Sequence, residues 1–201
     1  MLEFLSDLYS KGGIVLYLIT FLSIIGLAIF LERLSALRQD KVIPQTLLER
    51  VIQLVGEKKF DEAIQTCTLQ RANVARLITE ILRNHNWNKV DLRAHVEDIG
   101  RQETEKLSKH VGILGTIASI CPLLGLLGTV YGMIHTFSVI ETQGVGQASQ
   151  LAGGISMALY TTAAGLTVAI PALIAFKFCN SKVQDLASGM EDYSLRIMEK
   201  I

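Results

Sequence analysis

The chain has 201 residues, with 19 Lys and Arg balanced by 19 Asp and Glu. Half of the residues are hydrophobic and the mean hydropathy is +0.38, which is too apolar for a disordered chain. The zero net charge argues against a nucleic-acid-binding protein, which normally carries a basic surplus. Charged residues are absent from 12–31, 110–140 and 142–176, so the apolar surface is concentrated in three stretches.

Three segments are long and apolar enough to cross a membrane: 13–31, 111–137 and 153–176. A hydrocarbon core of about 30 Å requires about 20 helical residues. Three such runs predict an all-α integral membrane protein with three transmembrane helices. The first run does not look like a signal peptide, because only Lys11 precedes it and no small-residue cleavage site follows. We therefore expect it to be retained.

The distribution of Lys and Arg predicts the orientation of the three spans. Fourteen of these residues lie in 32–110 and four in 177–201. The positive-inside rule places both segments in the cytoplasm, so that the N-terminus is outside and the C-terminus inside. The predicted order is a periplasmic N-terminus (1–12), transmembrane helix 1 (13–31), a cytoplasmic helical domain (32–110), transmembrane helix 2 (111–137), a periplasmic loop (138–152), transmembrane helix 3 (153–176) and a cytoplasmic C-terminal helix (177–201).

The segment between the first two spans has helical apolar spacing, interrupted at Pro44 and at two polar turns. One predicted face groups Val74, Leu77, Ile78, Ile81 and Leu82. We expect a small helical bundle with no catalytic group. Its predicted helices cover 46–55, 60–69 and 72–84, and a last helix from 90 to 110 continues directly into the second span.

Small residues mark one stripe on each of the last two spans. Gly128 and Gly132 form a GxxxG pair in the second span, which allows helix backbones to approach closely. The third span carries a stripe with spacings of four, three and four: Ala158, Thr162, Gly165 and Ala169. These stripes predict close packing, either of the two helices against each other or around another helix.

Prolines and threonines add polar character inside the spans. Pro122 and Pro171 each remove a backbone hydrogen bond and favour a kink. Thr129, Thr161 and Thr162 either bond to carbonyls of their own helices or line a polar path. The spans contain no carboxylate, although an acidic residue is the usual mark of an ion relay in the membrane. If ions cross here, a partner protein must supply the carboxylate.

Two other functions compete with ion conduction. An intramembrane enzyme would need a Ser–His pair, two aspartates or a metal motif within the spans, and only His135 lies there without a suitable partner. We therefore expect no enzyme. The alternative is a non-conducting scaffold whose small-residue faces only assemble a complex, which would tolerate Thr129→Val and Thr162→Val.

The last two spans resemble a known family. Residues 115–137 contain the pattern P-x-x-G-L-x-G-T-V-x-G, and residues 153–175 contain G-I-x-x-A-L-x-x-T-x-x-G-L-x-x-A-I-P. In this order the two patterns resemble the MotA/TolQ/ExbB ion-channel family. Three spans are similar to the ExbB/TolQ-like branch, since MotA proteins are longer and have four.

The resemblance implies a ring-forming motor subunit of the bacterial inner (cytoplasmic) membrane. In the family, a homopentamer surrounds two copies of a single-span ExbD/TolR/MotB-like subunit whose membrane aspartate carries the ion. Ion flow is converted into work on a periplasmic TonB- or TolA-like protein, and no cofactor is needed beyond the transported H⁺ or Na⁺. By resemblance, Thr129 and Thr162 match pore-facing threonines, the small faces of spans two and three line the pore, and span one faces lipid.

Two residues depart from the pattern of the proton-driven members. Met157 stands where those proteins usually carry Glu, and Thr161 stands where they tend to have Ala. A hydroxyl at this position resembles the sodium-driven stators, and hydroxyl and carbonyl oxygens can ligate a hard cation. The sequence thus predicts a transient Na⁺ site near Thr161 and Thr162, and it leaves H⁺ and Na⁺ coupling open.

Overall fold

The protein is described from a computed structural model covering residues 2–70, 72–144 and 148–201, with side chains for 13–70, 72–142, 144 and 149–201. The side chains of the predicted N-terminal segment and residues 145–147 of the predicted periplasmic loop lie outside this description. Every regular element in the described ranges is an α-helix. The helices are α1 (Leu2–Ala36), α2 (Gln39–Val42), α3 (Gln45–Gly56), α4 (Phe60–Leu69), α5 (Asn73–Arg83), α6 (Lys89–Ser108), α7 (Val111–Gln143) and α8 (Ala148–Met198).

Three of these helices contain segments long and apolar enough to span a membrane: Gly13–Ala36, Val111–Thr142 and Ser149–Met198. The all-α class is therefore confirmed, and three described helices are candidate spans by length and composition, while their bounds and orientation in the membrane stay predictions. The backbone of α1 leaves helical geometry at Gly13, whose φ of 58° suits a residue without a Cβ atom. This break coincides with the predicted start of the first span.

The chain divides into two compact units. The first comprises Met1–Leu31 and His110–Lys177 and contains the apolar spans. In it, Leu22 and Ile25 of α1 pack against a small buried cluster formed by Ile117, Cys121 and Ala169. The other side of α1 is apolar and exposed, with Phe21, Ile24 and Leu27 each at least 60% accessible. Such a surface suits contact with lipid or with another apolar helix.

The second unit comprises Glu32–Lys109 and Phe178–Ile201 and is a helical bundle. The predicted apolar face of α5 is confirmed, because all five of its residues are buried, with Val74, Ile78 and Ile81 fully inaccessible. The C-terminal part of α8 supplies a further row of buried residues at helical spacing: Val183, Leu186, Met190 and Ile197.

The predicted continuity of the helix from 90 to 110 into the second span is wrong. Helix α6 ends at Ser108, α7 begins at Val111, and His110 between them has a left-handed φ of 67°. The Arg33 guanidinium donates to the Leu107 carbonyl over 3.3 Å. This contact gives a partner to a carbonyl at the end of α6, where the intrahelical amide is lost.

A buried carboxylate joins the start of α5 to α6. Glu103 is 3% exposed and accepts hydrogen bonds from Asn73 (2.9 Å), Arg76 (2.7 Å) and Lys106 (2.7 Å). Burial acts to raise the pKa of Glu103, but these three donors outweigh it and hold the pKa below its ordinary value. The carboxylate is therefore ionised and fully paired at neutral pH, which fixes the register of the two helices.

Candidate functional site

Helices α7 and α8 contact each other through their glycines. A Cβ atom added to Gly165 would lie 2.5 Å from the Cys121 carbonyl oxygen, and one added to Gly132 would lie 2.7 Å from that of Gly154. Gly128 lies directly against the side chain of Thr161. The two stripes therefore pack against each other, which is one of the two arrangements that the sequence allows.

The buried stripe of α8 differs from the predicted one at a single residue. Ala158, Gly165 and Ala169 are buried as expected, but Thr161 takes the place predicted for Thr162. Both threonines flank the stripe on a helical projection, so the partner helix decides between them. Gly128 leaves room for the Thr161 side chain, which is fully buried.

Thr161 bonds within its own helix. Its hydroxyl donates to the Met157 carbonyl (3.1 Å) and to the Ala158 carbonyl (3.0 Å). This arrangement is the common one for threonine in a membrane helix. The small faces are turned toward each other in this chain, which differs from the expectation that those faces themselves line a pore.

Thr162 makes a hydrogen bond between the two helices. Its hydroxyl donates to the Gly125 carbonyl of α7 over 3.2 Å. The approach is close because a Cβ atom at Gly125 would lie only 3.0 Å from the Thr162 Cα atom. Thr162 itself is half-buried, so its hydroxyl lies at the edge of the helix contact. Gly125 belongs to this site although sequence reasoning did not select it; the G-x-x-G spacing of Gly125 and Gly128 was the available signal.

Thr129 lies one helical turn after Gly125. It is half-buried, and its hydroxyl donates to the Leu126 carbonyl over 2.7 Å. Residues four apart share a helix face, so Gly125 and Thr129 lie on the same face of α7. The Thr162 hydroxyl, which donates to the Gly125 carbonyl, therefore contacts α7 within one turn of Thr129. The structure thus brings Thr129 and Thr162 to neighbouring levels at the same pair of helices.

The surface around these two threonines is apolar. On α7 the exposed neighbours are Leu126, Val130 and Met133, and on α8 they are Leu159 and Leu166. The sequence places no Asp, Glu, Lys or Arg in 111–140 or 142–176. The arrangement can offer hydroxyl and carbonyl oxygens to a proton, a water molecule or a cation, but it contains no charge that could neutralise one.

The remaining predicted residues surround this site. Met157, at the position that departs from the family pattern, is half-buried, and its Cε atom would lie 2.9 Å from a Cβ atom at Gly13. Helices α7 and α8 continue through Pro122 and Pro171, of which Pro122 is half-buried and Pro171 exposed. Within the described ranges, no three His, Cys, Asp or Glu side chains are grouped to hold a metal.

Comparison with known proteins gives a consistent result. The sequence model of the MotA/TolQ/ExbB proton channel family matches residues 58–192. An ExbB-like biopolymer transport protein of Synechocystis is 33% identical over 197 residues, which cover 94% of this chain and 74% of the relative. The biopolymer transport protein exbB1 of Vibrio cholerae is 30% identical over 177 residues, covering 86% and 77%.

A relative from a second system matches a shorter region. The Tol-Pal system protein TolQ of Haemophilus influenzae is 35% identical over 97 residues, which cover 46% of this chain and 42% of the relative. The similarity to the Synechocystis and Vibrio cholerae proteins therefore extends along most of the chain, whereas the similarity to this TolQ protein covers about half.

Proposed function

Because the chain belongs to the MotA/TolQ/ExbB proton channel family, we propose that it is the ring-forming channel subunit of an ion-driven complex in a bacterial inner membrane. The observation that carries the proposal is the hydrogen bond from Thr162 to the Gly125 carbonyl, with Thr129 one turn away. These two hydroxyls support a path of oxygens at the edge of two spans that are otherwise apolar and uncharged.

The absence of a carboxylate from the predicted spans supports a partner that supplies the ion carrier. Moving a bare ion across an apolar surface is unfavourable, and a membrane carboxylate is the usual carrier. We propose that the carrier is an aspartate on a single-span ExbD/TolR/MotB-like subunit. The hydroxyls of Thr129 and Thr162 would contact this aspartate or its hydrating water, while Thr161 supports the helix contact behind them.

The proposed assembly is a homopentamer of this chain around two copies of the single-span subunit. The exposed apolar faces of α1, α7 and α8 provide surface for neighbouring copies and for lipid. The proposed work is done in the periplasm through a TonB- or TolA-like protein. Similarity along most of the chain to a biopolymer transport protein supports the TonB type of output over the Tol type.

We propose H⁺ as the coupling ion, in keeping with the proton channel family. Na⁺ is the second candidate, because Thr161 and Thr162 bring two hydroxyls close to the Gly125 and Met157 carbonyls. The two ions are separated by measuring driven transport across Na⁺ concentrations at fixed pH, in the native protein and in Thr161→Ala. A Na⁺-dependent rate that Thr161→Ala abolishes would refute H⁺ coupling, and a rate indifferent to Na⁺ would exclude Na⁺.

The channel role is tested by replacing each proposed threonine with valine, which removes the hydroxyl and keeps the shape of the side chain. Thr129→Val and Thr162→Val, copurified with the single-span partner and reconstituted in liposomes, should lower proton uptake about tenfold or more, because a carbonyl or an ion loses its hydroxyl partner. The matched controls are Thr116→Val and Thr167→Val. Their hydroxyls bond within their own helices, as that of Thr129 does, but they lie more than one helical turn from Thr129 and Thr162 in the sequence.

Assembly with the partner separates the channel from the scaffold. A channel subunit should still copurify with the partner while failing to conduct, and Thr162→Ser, which keeps the hydroxyl, should restore uptake. Unchanged proton uptake in both valine variants would refute the role of these two hydroxyls. No proton uptake by the native complex, with unchanged periplasmic output in both valine variants, would instead establish the non-conducting scaffold.

A further inference from the structure

A cavity of about 290 Å³ lies in the second unit, where the chain has just left the first and third apolar segments. Three cationic side chains line it: Arg33 and Arg38 near the end of α1, and Lys182 of α8. Its lining also includes two exposed apolar side chains, Leu34 and Phe178, which are both 45% accessible. The cavity is therefore open to the surface of the unit, with cationic and apolar side chains side by side.

The charges of the cavity leave two donors free. Arg33 is paired with Glu32 and donates to the Leu107 carbonyl, so it is held in place and nearly buried. Arg38 and Lys182 are exposed and make no ion pair within the described part of the chain. Asp40, which also lines the cavity, is the one carboxylate against them. The lining therefore carries a net positive charge and can accept a singly charged anion.

The place of the cavity residues in the sequence, just after two apolar runs, indicates which class of anion they bind. Leu34 and Arg38 follow the first apolar run by three and seven residues, and Phe178 and Lys182 follow the third run by two and six. Residues within two helical turns of a span lie at the level of lipid head groups, and basic pockets there attract anionic lipids. This step rests on the membrane topology of the proposed function.

We propose that this cavity binds the phosphate of an anionic phospholipid. Arg38 and Lys182 donate to the phosphate oxygens, and an acyl chain lies along Leu34 and Phe178. A free phosphate offers the same oxygens, but it has no apolar group that could cover the exposed side chains of Leu34 and Phe178. A phospholipid therefore fits both the cationic and the apolar part of the lining.

The test measures lipid retention by the full-length protein. Native protein and the double variant Arg38→Gln/Lys182→Gln are placed in nanodiscs of phosphatidylglycerol and phosphatidylcholine in equal amounts, released, and examined by native mass spectrometry for bound lipid. The matched control is Arg50→Gln/Lys89→Gln, which removes the same two charges from exposed positions outside the cavity. Circular dichroism checks that all three proteins are equally helical.

We expect the native protein and the control to retain phosphatidylglycerol in preference to phosphatidylcholine. In the cavity variant, the ratio of bound phosphatidylglycerol to bound phosphatidylcholine should fall about fivefold for each removed charge, or about 25-fold for the pair. Equal preference in the cavity variant and the control would overturn the proposal. Displacement of the bound lipid by millimolar inorganic phosphate would assign the site to a free anion and overturn the lipid assignment. No ion flux is measured, so failure here leaves the channel proposal intact.

Discussion

Replacing Gly165 by alanine tests the closest contact between α7 and α8. The added Cβ atom would lie 2.5 Å from the Cys121 carbonyl oxygen and 3.2 Å from the Gly125 Cα atom. Ordinary contacts between heavy atoms are about 3.5–4.0 Å, so the helices must separate locally by about 1 Å. Both opposing atoms belong to the backbone and cannot rotate away. We therefore expect the upper end of the usual cost of overpacking, about 3 kcal/mol in the free energy of unfolding.

The measured quantity is the apparent melting temperature of the purified protein in detergent, determined from the fraction of protein that stays monodisperse after heating. About 3 kcal/mol corresponds to a decrease of about 6–12 °C for a chain of this length. The controls are Gly112→Ala and Gly153→Ala, where an added Cβ atom meets nothing within 4 Å. Each control should leave the melting temperature unchanged or raise it slightly, since alanine favours helix. A Gly165→Ala protein as stable as these controls would refute the close contact.

Two further predictions concern the second unit. Because the pKa of Glu103 is lowered in the folded protein, its ion pairs stabilise the fold above the ordinary glutamate pKa, and this contribution is lost as the pH falls through the folded value. Glu103→Gln should therefore lower the free energy of unfolding by about 1.5–3 kcal/mol at pH 7 and make that free energy less dependent on acid pH. The control is Glu105→Gln, at an exposed position of the same helix, which should match the native protein in thermal melts between pH 3 and pH 7. Burial raises the pKa of the Cys67 thiol to about 11, although a hydrogen bond with Thr79 lowers it slightly. At pH 8, iodoacetamide should therefore modify Cys67 about a hundredfold more slowly than an exposed thiol, as measured by mass spectrometry. Rapid modification of Cys67 in the folded protein would contradict its burial.

Periodicity and length predicted the helices well because both depend on local sequence. The apolar face of α5 and the three spans are read directly from residue spacing. The break at His110 was missed because no glycine or proline occurs at it or before it within 101–111. It is compensated instead by Arg33, 74 residues away from Leu107 in sequence, and such a distant hydrogen bond leaves no trace in the pattern.

The assignment of Thr161 and Thr162 shows a similar limit at the site. Adjacent residues on a helix point about 100° apart, so one of two neighbouring threonines can enter the helix contact while the other lies at its edge. Spacing alone selected Thr162 for the contact. The choice depends on the opposing helix, where Gly128 makes space for Thr161 and the Gly125 carbonyl accepts from Thr162.

The same glycine contact that stabilises the helix pair also sets the position of the proposed ion path. Gly165 lies against Gly125, whose carbonyl accepts the Thr162 hydroxyl. Gly165→Ala keeps both proposed hydroxyls but pushes this carbonyl away by about 1 Å, and a 3.2 Å hydrogen bond would then exceed the usual range. We therefore expect Gly165→Ala to lower proton uptake in liposomes at temperatures where the protein is still folded and bound to its partner, whereas Gly112→Ala should conduct normally. Normal uptake by folded Gly165→Ala would show that the hydrogen bond contributes to packing alone.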